Sequence, residues 1–95
     1  MSMKEAYEKK LEAQLNEWSA QIDKLKAQAD LAEADAQLQY QKQVQELRAM
    51  QDEAEQKLRE LQQSSDDAWN DLKAGMDNAW DSIEAAMKAA SNRFK

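Results

Sequence analysis

An apolar residue returns at every third or fourth position from Tyr7 to Phe94, and this stripe constrains the chain more than any other feature. Tyr7, Leu11, Leu15, Trp18, Ile22, Leu25, Ala29, Ala32, Ala36, Tyr40, Val44 and Leu47 lead to a polar interruption at Gln51. Ala54, Leu58 and Leu61 lead to a second interruption at Ser65, and Ala68, Leu72, Met76, Ala79, Ile83, Met87, Ala90 and Phe94 complete the series. The mean step is about 3.6 residues, the α-helical period. With one Gly and no Pro in 95 residues, almost no position is suited to a hairpin or tight turn, so the chain is expected to be all-α. The stretch Gln37 to Gln45 alternates with period two, but good helix formers flank it, no turn residue bounds it and a lone strand has nothing to pair with.

The local period changes along the stripe. From Leu11 to Ala36 the spacing is a heptad, with Leu15, Ile22, Ala29 and Ala36 at one seam position and Leu11, Trp18, Leu25 and Ala32 at the other. Two steps of four between Ala36 and Val44 insert a stutter, which unwinds a supercoil locally, and a second heptad frame then runs from Val44 to Leu61. Gln51 sits in that frame as a polar seam residue of the kind that sets register. The last third is an eleven-residue repeat: residues 66–76 are followed by 77–87, with Asp66/Asp77, Ala68/Ala79, Trp69/Trp80, Ala74/Ala85 and Met76/Met87 recurring in place. That repeat keeps Trp69, Leu72, Met76, Trp80, Ile83, Met87 and Phe94 within a sector of roughly 80°. Gly75 occupies the position of Ala86, where either a close helix neighbour or simple tolerance accounts for it.

Ser64 and Ser65 offer N-cap chemistry, and Asp66 and Asp67 suit the first turn of a helix. The spacing therefore predicts one coiled-coil domain over residues 1–95, made of a long heptad helix (3–63) and a shorter repeat helix (66–92). A continuous helix of about 140 Å is the alternative. Only 23 apolar residues are larger than Ala. A helix of some 60 residues whose first half has no partner within the chain needs a second copy, so a homo-oligomer, dimer to tetramer, is expected. The expected interface is Leu11, Leu15, Trp18, Ile22, Leu25, Val44, Leu47, Leu58 and Leu61.

The function classes narrow by chemistry. His and Cys are both absent, which removes the commonest general base, the commonest transition-metal ligand and the thiol nucleophile. No enzyme activity, cofactor or metal is expected. The carboxylates Asp52, Glu53 and Glu55, and Asp66, Asp67 and Asp71, are read as solvated helix faces. A net charge of −6 disfavours nucleic acid. The longest apolar run is three residues, so neither a signal peptide nor a membrane span is expected, and the default location is cytoplasmic. Trp18 belongs to the heptad seam. Trp69 and Trp80 share a face with the methionines, which is either a protein-packed seam or a membrane-interface face. Residues 64–95 carry six acids and four bases, which is not the basic face that anionic lipid selects.

The run Tyr7-Glu8-Lys9-Lys10-Leu11-Glu12-Ala13-Gln14-Leu15-Asn16-Glu17-Trp18, with Asp67-Ala68-Trp69 and Ala79-Trp80-Asp81-Ser82-Ile83, resembles a group of small bacterial coiled-coil proteins, some labelled stress-response proteins. The resemblance spans the whole chain and implies a bacterial origin and a stress connection, and it brings no catalytic or binding residues with it. The expectation is a self-associating structural or interaction protein, protective under stress. Its alternative is a peripheral lipid-binding protein that inserts Trp69, Leu72, Met76, Trp80, Ile83, Met87 and Phe94. Unfolded protein clients, offered the Met-rich face, form a third class of partner.

Overall fold

The computed structural model describes residues 2–93, so the stripe's last member, Phe94, lies outside the described residues. The regular elements are three α-helices: α1 (Met3–Asp30), α2 (Ala34–Gln63) and α3 (Ala68–Arg93). The all-helical expectation holds, and the break between the second and third helices falls at 64–67, where the cap residues are. The long helix over 3–63 does not form. It divides at 31–33, and the chain folds back on itself there.

The physical reason lies in the stripe. Between Leu25 and Tyr40 its only members are Ala29, Ala32 and Ala36, which bury little apolar area, while the Leu, Ile and Trp positions on either side each gain ~1.5–3 kcal/mol or more by being covered. A turn through the alanine-only segment lays Leu11, Leu15, Trp18, Ile22 and Leu25 against Val44, Leu47, Ala54, Leu58 and Leu61, and all ten are buried. The second copy was expected because the first heptads had nothing of their own chain to pack on. They pack on α2. All nine residues assigned to an oligomer interface lie in the interior of one chain.

Neither turn uses Gly or Pro, and no described residue has positive φ. Side chains make the turns instead. At the first, α1 ends in a tightened turn, with the amides of Leu31 and Ala32 donating to the carbonyls of Gln28 and Ala29. From α2, Gln37 Nε2 donates to the Asp30 carbonyl and Gln41 Nε2 to Asp30 Oδ1, both at 3.2 Å. At the second turn, Ser64 Oγ donates to the Leu61 carbonyl at 2.6 Å, and Lys4 of α1 donates to the carbonyls of Gln62 and Ser64, so a cation sits at the negative end of α2. Ser65 Oγ accepts from the Ala68 amide at 3.2 Å as the cap of α3.

The pairs Gln51 with Leu15 and Arg48 with Asp23 set α1 and α2 antiparallel. Tyr40 donating to the Arg93 carbonyl sets α3 antiparallel to α2, and α1 and α3 therefore run parallel. The molecule measures 51 × 20 × 18 Å. α2 is the middle helix: its backbone approaches both others closely, while α1 and α3 meet mainly through long side chains. No polar or charged residue is buried among the described residues.

Gly75 is on the exposed side of α3, and a Cβ added there would touch nothing within 4 Å, so no helix approach requires it. Gly75→Ala is expected to raise stability by ~0.5–1 kcal/mol in urea unfolding, through helix propensity and a less entropic unfolded chain. Ser65→Ala is expected to lower it by ~1 kcal/mol in the same assay by removing the α3 cap.

Candidate interaction surfaces

The eleven-residue repeat places Trp69, Met76, Trp80, Ile83 and Met87 on one buried face of α3, together with Ala90. In the folded chain this face is covered by the other helices. Leu72 departs from it at 39% exposed. It lies at the edge of the sector, about 60° from Trp69, where neither neighbouring helix reaches. Trp18 is buried in the core as expected, and Gln51 contributes its amide to the Leu15 carbonyl at 3.4 Å, which ties α2 to α1 at one register.

Where α1 meets α3, aromatic rings form the joint. Trp18 and Trp80 lie 6.1 Å apart and Tyr7 and Trp69 5.9 Å apart, both tilted, in the range where ring quadrupoles attract. Lys73 Nζ sits 5.6 Å from the Tyr7 ring and 6.0 Å from the Trp69 ring. The Tyr7 hydroxyl donates to the Asp77 carboxylate and lies 3.4 Å from the Lys73 carbonyl. Beside these contacts the seam stays open. A cleft of about 560 Å³ is lined by Gln14, Glu17, Trp18, Gln21, Glu84, Met87, Lys88, Ser91 and Asn92, and one of about 300 Å³ continues it toward Tyr7 and Asp77. Among the described residues no salt bridge joins α1 to α3, although Glu17 and Lys88 line the same cleft. Trp80 is 4% exposed and its Nε1 is buried without a hydrogen-bond partner, which costs ~1–3 kcal/mol.

A second surface lies at the far end of the α1–α2 hairpin, where Leu31 and Leu38 are 88% and 78% exposed. Both fall outside the stripe, and a search along the stripe misses them for that reason. Lys4, Gln37 and Gln41 were also missed. Their sequence context is an ordinary polar helix face, and only the fold shows which carbonyls they reach. The acidic triplets form no group suited to a metal ion among the described residues, and no helix among them is long and apolar enough to cross a membrane. Compared with protein-family models, curated proteins and solved structures, the chain matches none.

Burial raises the Tyr7 hydroxyl above its ordinary pKa of about 10, and the hydrogen bond to Asp77 and the charges of Asp77 and Asp81 push it further the same way. Above pH 10 the unfolded chain therefore releases this proton while the folded chain retains it, so the Tyr7 contribution is intact below that pH and lost as pH rises. In urea unfolding followed between about pH 9 and pH 12, Tyr7→Phe is expected to show a flatter decline of stability than the wild type.

Proposed function

We propose that this protein is a non-enzymatic helical interaction protein that associates with a second copy of itself through the end of the α1–α2 hairpin. The observation that carries the reading is the pair of leucines there, Leu31 and Leu38, left 88% and 78% exposed by a chain that buries nearly every other large aliphatic side chain. The polar groups beside Leu38 suit a symmetric contact. Asp35 stands three residues before it and Lys42 four after, and all three line one shallow surface depression. When α2 of one copy crosses α2 of the other antiparallel about a two-fold axis at Leu38, each Asp35 faces the partner's Lys42. A non-enzymatic role is supported by how the polar side chains that bridge helices are used: Lys4, Tyr7, Tyr40 and Gln51 all bond to main-chain carbonyls of another helix. A connection with stress rests on the resemblance to bacterial coiled-coil proteins alone.

The patch is small, so the association is weak and depends on concentration. Sedimentation equilibrium tests it. The wild type is expected to dimerise as its concentration rises, and the double variant Leu31→Gln with Leu38→Gln to stay monomeric with unchanged helix content. Asp35→Lys is expected to weaken the dimer, and adding Lys42→Asp to restore it. A wild type monomeric throughout, or a leucine variant that associates like the wild type, overturns the reading.

A further inference from the structure

We propose that the bundle opens along the α1–α3 seam into a flat layer of three helices, and that the exposed apolar face of that layer binds a zwitterionic phospholipid surface. The argument starts from connectivity. α2 lies between the other two helices, so parting α1 from α3 leaves the α1–α2 and α2–α3 contacts in place and turns the apolar stripe of every helix toward the same side. The seam that parts is the weakest of the three joints. It is interrupted by two clefts, is crossed by no salt bridge among the described residues, and its polar and aromatic ties are two tilted ring pairs, Lys73 over the Tyr7 ring, and the partly exposed Tyr7 hydroxyl on Asp77 and the Lys73 carbonyl. On its rim Lys88 of α3 pairs with Glu84 of its own helix at 3.4 Å and not with Glu17 of α1, so no ion pair ties the two helices there.

Opening in water is costly because it exposes the core. On a lipid surface the same side chains pass from one apolar medium to another, so that cost disappears. One group gains. The Trp80 Nε1–H, buried without a partner in the closed bundle, reaches the interfacial region, where water and headgroup oxygens accept it and where indoles concentrate. Trp69 and Trp18 lie on the same exposed face. The lipid is zwitterionic by charge: Ala68–Arg93 carries four acids (Asp71, Asp77, Asp81, Glu84) against three bases (Lys73, Lys88, Arg93), a net of −1 within a chain of net −6.

The chain has no cysteine, so pairs introduced for cross-linking are the only thiols. Gln14 and Glu84 line both clefts from opposite sides of the seam. Full-length Gln14→Cys/Glu84→Cys, joined by a short bismaleimide, is compared with Asp23→Cys/Arg48→Cys, joined across α1–α2 where Arg48 Nη2 reaches Asp23 Oδ1 at 2.9 Å. Each is assayed by flotation with small phosphatidylcholine vesicles and by Trp emission, with circular dichroism confirming the closed fold beforehand. The wild type, both unlinked variants and the α1–α2-linked protein are expected to float with the vesicles, and the α1–α3-linked protein to lose at least tenfold in partitioning. Equal flotation of the α1–α3-linked protein, no flotation of the wild type, or preference for phosphatidylglycerol vesicles overturns the proposal. Because the self-association variants Leu31→Gln and Leu38→Gln lie outside the seam, they are expected to float like the wild type, which separates this proposal from the preceding one.

Discussion

The packing of the α1 stripe on the α2 stripe is the contact on which everything else rests. Nine large or medium apolar side chains and Ala54 from the two helices cover one another, and several are almost completely inaccessible, with Ile22 at 1% and Leu61 at 0%. Neither helix has a strong reason to persist alone, since isolated helical stability is marginal and amphipathic faces supply most of it. Once the hairpin exists it presents a shallow apolar trough, and α3, with the largest side chains in the chain, fills it. Trp69, Met76, Trp80, Ile83 and Met87 are its buried large side chains, and two of the chain's three tryptophans are among them. The three-helix bundle is the smallest arrangement that leaves no stripe uncovered.

A chain without Pro and with one exposed Gly must reverse direction twice by other means. It does so by supplying hydrogen-bond partners to helix ends from distant helices. Gln37 and Gln41 close the end of α1 from α2, and Lys4 closes the end of α2 from α1. These contacts satisfy carbonyls that a Schellman turn otherwise satisfies within its own segment. The consequence is cooperative: the first turn is complete only once α2 has folded back on it, and the second only when α1 is already in place. The ends of α1 and α2 thus depend on the bundle, and the bundle on them.

The surfaces left for function follow from the same economy of apolar residues. Large side chains are concentrated in the interior, and the exterior is acidic and polar apart from Leu31, Leu38, Leu72 and Met3. The hairpin end carries two of these four, Leu31 and Leu38. The α1–α3 seam is where apolar surface becomes available with the least disruption, because α2 mediates most of the packing. The two contact regions proposed for this protein are a pair of leucines at a turn and an aromatic seam between parallel helices.

The helical period, the eleven-residue repeat and the cap at Ser65 were legible in the sequence because each depends on residues close together in the chain, whereas Ser64 was read as a second N-cap candidate and instead ends α2. Periodicity settles which side chains share a face, and local hydrogen bonding settles where a helix begins. The division at 31–33 was written there only faintly, as three successive alanines in the stripe with no turn residue among them. Whether a helix continues through such a segment depends on what the residues on either side gain by meeting, a long-range term that local spacing does not contain. The sequence by itself determined an all-helical chain with one apolar stripe running along it. Only the tertiary structure decided that the faces meet within one chain, that Tyr7, Lys4 and Gln41 bridge helices, and that Leu31 and Leu38 stand outside, because each outcome is a competition between burials far apart in the chain.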